Sequence, residues 1–229
     1  MPRRSVLSPA ERDSLFSFPE NHDEIIRHYT FNEAELSLIG QRRGAANRLG
    51  FAVQLCCMRY PGIILGAGIE PPAALLEYVA GQLGIEPMLW KEYAKRDQTR
   101  REHLLELQAA LQLRLLTVDD YRPAVQVLVD LATQTDKGLV LAQALVGYLR
   151  QRAILLPGGN VIERICAEAV TRATRRIYDV LTASLSDEHR KRLDQLLTRR
   201  DDGRMTWLAW LRLPRGRRVH ARCSSISIA

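Results

Sequence analysis

The stretch Gln41–Gly62 reads QRRGAANRLGFAVQLCCMRYPG and decides the fold. At about 100° per residue, its apolar side chains occupy two nearly opposite sides of a helix. A helix that is apolar around most of its circumference is normally buried. Only Gln54, Arg48 and Arg59 give this helix a polar edge. The stretch therefore predicts a central, buried helix with arginines at or near its ends, and those arginines meet either a ligand or water.

Helix start signals recur on both sides of this stretch. Ser8–Glu11 is a capping box with proline at the first helical position. The same Ser/Thr-x-x-Glu pattern recurs at Thr30–Glu33 and Thr99–Glu102, and Asn160–Glu163 is an asparagine variant of it. Chain breakers separate the helical segments, at 61–62, 71–72, 157–159 and 201–203.

These signals predict an all-α protein with many helices and little or no strand. The predicted helices span residues 8–17, 21–28, 31–40, 45–60, 72–83, 87–94, 99–113, 119–134, 137–152, 160–184, 187–200 and 205–212. Soft boundaries near 61–72 and 157–160 suggest a division of the chain into 1–70, 71–157, 158–213 and 214–229.

The composition is that of a soluble globular protein. Of the 229 residues, 46% are hydrophobic and 26% are charged. No apolar run reaches the roughly 18 residues of a membrane span. Basic residues near the N-terminus are not followed by an apolar segment, so we expect no secretory signal and a cytoplasmic protein. The four cysteines form no CxxC pair, which argues against a zinc site.

The net charge of +7 is concentrated late in the chain. Residues 1–163 carry 18 Lys and Arg against 19 Asp and Glu, whereas residues 164–218 carry 14 against 7. Arginine predominates over lysine, and its planar guanidinium group suits the recognition of phosphates and base edges. A basic chain also fits an anionic membrane surface or an acidic protein, so charge alone leaves the partner open.

Two predicted helices and a short turn surround the start of the central stretch. Helix 31–40, the turn Gln41–Gly44 and helix 45–60 have the outline of a helix-turn-helix, a unit that binds DNA in many proteins. Any all-helical protein contains such pairs of helices. Spacing alone therefore leaves both a DNA-binding and a purely structural interpretation open.

A second basic cluster crowds the start of helix 99–113, where positive charge opposes the helix dipole. It consists of Lys95, Arg96, Gln98, Arg100 and Arg101. Such a local conflict is expected of a phosphate-contact site. A solvated basic turn neutralised by Glu92, Asp97 and Glu102 fits the sequence equally well.

A third basic cluster lies on helix 160–184, on the face opposite its apolar stripe. It consists of Arg164, Arg172, Arg175 and Arg176. Glu168 precedes Arg172 by four residues and Asp179 follows Arg175 by four, so these arginines either pair on the surface or contact a DNA backbone.

No enzyme motif accompanies these clusters in the sequence. A glycine-rich phosphate loop, an HExxH motif and a supported Ser/His/Asp pattern are all missing from it, and the five histidines are scattered. We therefore predict no catalytic residue, no metal ligand and no cofactor.

Seven longer strings run along the chain in a fixed order. They are MPRRSVLSPAERDSL, IIRHYTF, QRRGAANRLGFAVQLC with MRYPG, QTRREHLLELQ, TDKG, ERICAEAVTRATRRIYDVL and TWLAWLR. In this order they resemble the N-terminal region of the large replicative transposases of the Tn-three family. The resemblance runs from Met1 to about Arg212.

The resemblance implies a bacterial protein region that is helical and binds double-stranded DNA, at the terminal inverted repeats of a transposon in the nucleoid. In the family, this region precedes a much longer remainder whose RNase-H-like core holds magnesium on Asp, Asp and Glu and cuts and joins strands. We expect this chain to lack that core and its magnesium. After Leu213 the chain departs from the family and reads PRGRRVHARCSSISIA, which we interpret as a truncation or an out-of-frame segment and expect to be disordered.

On this resemblance we predict DNA-binding units at 1–70 and 71–157, followed by a basic helical segment at 158–213. The predicted DNA-binding residues are Arg42, Arg43 and Arg48 in the first unit, Lys95, Arg96, Gln98, Arg100 and Arg101 in the second, and Arg172, Arg175 and Arg176 for backbone contact. The alternative is an inactive or interaction fragment that dimerises with itself or with full-length transposase. No membrane partner is expected.

Overall fold

The computed structural model describes residues 6–66, 68–93, 97–201, 203 and 205–213. These residues form eleven α-helices and one 3-10 helix, Pro87–Glu92. The α-helices are α1 Pro9–Ser14, α2 His22–Tyr29, α3 Glu33–Gly40, α4 Ala45–Arg59, α5 Ala73–Leu83, α6 Asp97–Ala110, α7 Val118–Ala132, α8 Gly138–Gln151, α9 Gly159–Ala183, α10 Asp187–Gln195 and α11 Trp207–Leu211.

The predicted all-α fold is confirmed. Within the described ranges there is no β-strand, and only two isolated bridges form, Arg114 with Ile154 and Arg199 with Thr206. None of the helices in those ranges combines the length and apolar character that a membrane span needs. The chain forms two compact units, Met1–Thr174 and Arg175–Ala229. The division at 70 and 157 expected from the sequence stays a prediction.

Helix α4 is the centre of the first unit, as its sequence predicts. Every residue from Leu49 to Met58 is buried. The helix contacts α2, α3, α5, α6 and the 3-10 helix, so other elements surround it. Burial of a Leu- or Phe-sized side chain contributes about 1.5–3 kcal/mol, which makes α4 a main source of this core's stability.

Two polar side chains of α4, Gln54 and Arg59, form hydrogen bonds inside the fold. The Gln54 amide donates to the Leu65 carbonyl at 3.0 Å and accepts from the Leu65 N–H at 3.2 Å. Arg59, at the end of α4, donates to the carbonyls of His28 at 2.9 Å and Thr30 at 3.0 Å and pairs with Glu35. These contacts attach the loop after α4 and the α2–α3 junction to the central helix. Arg59 is therefore a structural residue.

A second core in the same unit is built from α7, α8, the first part of α9, and Leu7 and Leu15 on either side of α1. Glu163 on α9 accepts from the Val6 N–H at 3.1 Å and forms an ion pair with Arg12 at 2.5 Å, which holds α1 in place. Gly138 lets the chain before α1 approach α8, because an added Cβ would lie 1.9 Å from the Val6 carbonyl oxygen.

The second unit contains the end of α9, α10 and α11. The Arg200 guanidinium carbon lies 5.1 Å from the Trp207 ring and 4.7 Å from the Trp210 ring. Helix α10 ends at Gln195, five residues before the end predicted for it at 200.

The capping predictions have mixed outcomes. The Ser8–Glu11 box is confirmed at the start of α1. The box predicted at Thr30–Glu33 is wrong, because Asn32 and Glu35 form the reciprocal pair at the start of α3. The Thr30 hydroxyl instead donates to the Ile26 carbonyl at 2.6 Å, and Thr30 ends the preceding helix α2.

Two further predicted caps lie inside helices. The helices that contain Thr99 and Asn160 begin earlier, at Asp97 and Gly159. A Ser/Thr/Asn-x-x-Glu pattern also arises within a helix, where the side chains three and four residues apart are neighbours. The pattern alone therefore misplaces these two starts.

Gly50 provides a test of packing around α4. An added Cβ would lie 2.0 Å from the Tyr93 ring, so Gly50→Ala must displace that ring. We expect the substitution to lower the free energy of unfolding by about 1–3 kcal/mol, measured by urea denaturation.

The matched control is Gly147→Ala on α8, where an added Cβ meets no side chain within 4 Å. We expect it to raise the free energy of unfolding by about 0.5–1 kcal/mol, because alanine restricts the unfolded chain. Equal effects of the two substitutions would show that Tyr93 does not pack against α4.

Candidate nucleic-acid interface

The predicted helix-turn-helix outline is present as α3, a turn and α4. Gly44 precedes α4 with a φ of +82°, a left-handed conformation that glycine adopts without strain, and no side chain caps the helix. From Leu49 to Met58 α4 is buried. Only its first turn, residues 45–48, and Arg59 at its end reach the surface, so α4 cannot lie lengthwise in a DNA groove.

The three arginines predicted around this turn have different environments. Arg43 and Arg48 are exposed, and no ion pair within the described part of the chain involves them. Arg42 forms a two-pronged ion pair with Glu106 on α6, with Nη2 2.8 Å from Oε1. Its guanidinium carbon also lies 4.9 Å from the Phe51 ring centroid. Two of the three guanidinium groups are therefore available to a ligand.

The second predicted cluster is described only in part. Lys95 and Arg96 lie outside the described residues. Gln98 is exposed and donates to the Glu102 carboxylate at 2.9 Å. Arg101 is exposed, whereas the Nε atom of Arg100 is buried without a hydrogen-bond partner among the described groups. Of the two described cations of this cluster, Arg101 is thus the more accessible.

An aromatic stack brings the first two clusters together. The Tyr93 ring packs against Gly50 of α4 and stacks on His103 of α6, with ring centroids 5.8 Å apart. His103 meets the edge of Phe51 at 5.2 Å. Together with the Arg42–Glu106 pair, these contacts fix the start of α6 against the first half of α4.

Burial changes the acid–base properties of this stack. Desolvation raises the pKa of Tyr93 to about 12, against the opposing effect of Arg100. The pKa of His103 is lowered, first by burial and then by the positive charge of Arg42, although Glu106 and Glu102 oppose the shift. His103 is therefore neutral at physiological pH, and its Nδ1 lies 3.3 Å from the Tyr93 hydroxyl.

The third predicted cluster lies on α9 and is largely paired. Arg172 forms an ion pair with Glu168 at 2.5 Å, and Glu168 also accepts from the Tyr121 hydroxyl at 2.9 Å. Arg175 lies 4.0 Å from Asp179 and its side chain is 85% exposed. Arg176 is exposed on the same helix. The surface pairs anticipated from the sequence are therefore present.

The described residues hold no group of three or more His, Cys, Asp or Glu side chains able to bind a metal ion. Cys56, Cys57 and Cys166 are buried free thiols. Burial raises the pKa of Cys56 and of Cys166 to about 12. These cysteines are therefore neutral core residues.

Glu106 and Tyr93 organise this surface, and the sequence did not single them out. Their partners lie far along the chain, with Arg42 and Glu106 separated by 64 residues. Gly50 was the one available signal. A glycine within a helix lowers helix stability by about 1 kcal/mol relative to alanine, so its presence usually indicates that another group packs closely against it.

Known proteins match this chain over most of its length. The sequence model of a family described as a domain of unknown function (DUF4158) matches residues 6–169. The transposase for transposon Tn21 from Escherichia coli is 59% identical over 212 residues, which cover 93% of this chain and 22% of that protein. The transposase for transposon Tn501 from Pseudomonas aeruginosa is 51% identical over 212 residues, with the same coverage of 93% and 22%.

These matches confirm the resemblance drawn from the sequence strings. A more distant relative, the transposase for transposon Tn2501 from Escherichia coli, is 39% identical over 217 residues, or 95% of this chain and 22% of that protein. The matches cover the N-terminal part of the transposases. The chain spans about a fifth of the length of these relatives.

His103 provides a test of the aromatic stack. The folded state keeps His103 neutral, whereas the unfolded chain takes up a proton near the ordinary pKa of about 6.5. The free energy of unfolding should therefore fall as the pH is lowered from about 7.5 to about 5.5.

In His103→Gln this contribution is absent, so the loss of stability over the same pH range should be smaller. Urea denaturation of both proteins at the two pH values measures the difference, and the other histidines serve as an internal control because both proteins contain them. An identical pH dependence would mean that His103 is not held neutral.

Proposed function

Since this chain belongs to the DUF4158 family and aligns with the N-terminal part of transposases, we propose that it binds double-stranded DNA at the terminal inverted repeats of a transposon. Strand cutting and joining belong, in this proposal, to the part of a transposase that the chain does not match. In this proposal, the chain recognises the DNA ends during replicative transposition and catalyses no step itself.

The observation that carries the proposal is the set of exposed arginines beside the α4–α6 contact. Arg43, Arg48 and Arg101 are exposed, and no ion pair within the described ranges neutralises them. A guanidinium group offers a planar fork of donors to phosphate oxygens or to guanine. Binding DNA through such groups releases counterions, which favours association.

The accessible part of α4 fits a recognised geometry. In helix-turn-helix proteins, the N-terminal residues of the second helix contact base edges. The N-terminal turn of α4 is accessible, and Arg48 lies on that turn. We therefore assign base or groove contacts to Arg48 and phosphate contacts to Arg43 and Arg101. We assign an adenine contact to Gln98, whose amide group then releases the Glu102 carboxylate and forms hydrogen bonds with the base.

The remaining predicted residues keep secondary roles in the proposal. Arg100 adds positive charge at the start of α6, and Lys95 and Arg96, which lie outside the described residues, stay proposed DNA contacts on the sequence alone. Arg172, Arg175 and Arg176 contact the DNA backbone. An exposed ion pair contributes only about 0–1 kcal/mol, so Arg175, whose pair with Asp179 is exposed, can exchange its carboxylate for a phosphate at little cost.

A second candidate function is association with another transposase chain. It is supported by exposed apolar side chains in the second unit, where Tyr178, Val180 and Leu181 on α9 and Leu197 after α10 are each more than 60% exposed. Exposed apolar groups of this size are typical of a contact surface. In this alternative, the chain co-purifies with full-length transposase and shows no preference for the inverted repeat.

The DNA-binding surface is tested by the triple variant Arg43→Ala, Arg48→Ala and Arg101→Ala. We expect weaker binding to a duplex that carries the terminal inverted repeat of Tn21. We also expect a shallower salt dependence, by about 2 in the slope of log K against log salt, because Arg43 and Arg101 each contact a phosphate and about 0.9 is lost per phosphate contact. Fluorescence anisotropy over a salt series measures both quantities.

The control is the triple variant Arg27→Ala, Arg122→Ala and Lys137→Ala, which removes three exposed charges elsewhere in the first unit. It should shift the slope less than the first variant. Equal slopes for the two variants would place the DNA elsewhere, and a wild-type chain that binds the repeat and a scrambled duplex equally would contradict the proposed function.

A further inference from the structure

We infer that Arg42 and Glu106 form a clamp that positions the DNA-facing arginines, and that Arg42 itself does not contact DNA. The inference rests on the proposed function and concerns the same surface. Arg42, which the sequence analysis predicted to contact DNA, has a positioning role in this inference. Glu106, for which the sequence predicted no role, shares it.

The guanidinium group of Arg42 is already occupied. Both of its terminal nitrogens bond to Glu106, and Nη2 also lies 3.4 Å from the Gln41 side-chain oxygen. The Arg42 side chain is only 16% exposed and lies over the Phe51 ring. Two-pronged binding of guanine or phosphate needs the same fork of donors that Glu106 occupies.

Displacing Glu106 would also be unfavourable. The Glu106 side chain is 37% exposed, so a phosphate that took Arg42 would leave a partly buried carboxylate unpaired close to the negatively charged DNA. Arg43, Arg48 and Arg101 have no such pair to break among the described residues. DNA therefore binds the exposed arginines and leaves the clamp closed.

The position of the clamp explains what it controls. Arg42 lies in the turn that carries Arg43 and leads to Arg48, whereas Glu106 lies on the same helix as Arg101, α6. The bond between them fixes the distance from the turn to α6, and with it the spacing of the exposed arginines. A surface held in its binding conformation loses less conformational freedom on association.

The clamp is tested with Arg42→Ala, Glu106→Gln and the exchanged pair Arg42→Glu with Glu106→Arg in one chain. We expect each single variant to bind the Tn21 repeat about tenfold more weakly or worse. The salt slope of Arg42→Ala should equal that of the wild type, because no phosphate contact is lost. The exchanged pair should recover most of the affinity.

The matched control is Glu77→Gln, which removes one exposed carboxylate from α5. Removal of a negative charge ordinarily favours DNA binding, so this control should bind as well as the wild type or slightly better. Glu106→Gln removes the same charge and should bind more weakly. This difference in sign separates positioning from simple electrostatics.

A salt slope shallower by about one in Arg42→Ala would overturn the inference, because it would show that Arg42 contacts a phosphate. Binding by Glu106→Gln as tight as that of Glu77→Gln would overturn it as well. If the exchanged pair does not fold, as judged by circular dichroism, these two measurements still decide. If the wild-type chain does not prefer the repeat over a scrambled duplex, the proposed function is contradicted instead. That measurement uses no clamp variant, so the two failures can be distinguished.

Discussion

The burial of α4 on all sides is the constraint on which the rest of the structure depends. Ten consecutive residues, Leu49 to Met58, are buried beneath α2, α3, α5, α6 and the 3-10 helix. A helix surrounded in this way holds its neighbours at fixed positions but offers no side of its own to a ligand. Function is therefore left to the ends of α4 and to the elements that pack against it.

The arginines around this helix divide into two groups by their partners. Arg42 and Arg59 connect distant parts of the chain through Glu106 and Glu35, and their partly buried positions make these pairs costly to break. Arg43, Arg48 and Arg101 remain exposed without an ion pair in the described ranges. The first group holds the surface in shape and the second gives it positive charge, so the proposed DNA contacts fall to the second group.

Periodicity and helix breakers were sufficient to predict the all-α fold, the buried centre at α4 and the positions of most helices. Local patterns were less reliable where two of them competed, as at Thr30 and Asn32, because only one can cap α3. The roles of Arg42 and Arg59 could not be predicted, since Glu106 and Glu35 lie 64 and 24 residues away in the chain. Tyr93 was missed for the same reason, although the glycine that receives its ring, Gly50, stood out within the helix.

The most direct test of the account compares two DNA duplexes of equal length and base composition, one with the terminal inverted repeat of Tn21 and one with that sequence scrambled. The dissociation constants of the wild-type chain are measured for both at physiological salt. We expect the repeat to bind at least about a thousandfold more tightly, as specific sites do. Equal dissociation constants for the two duplexes would contradict it.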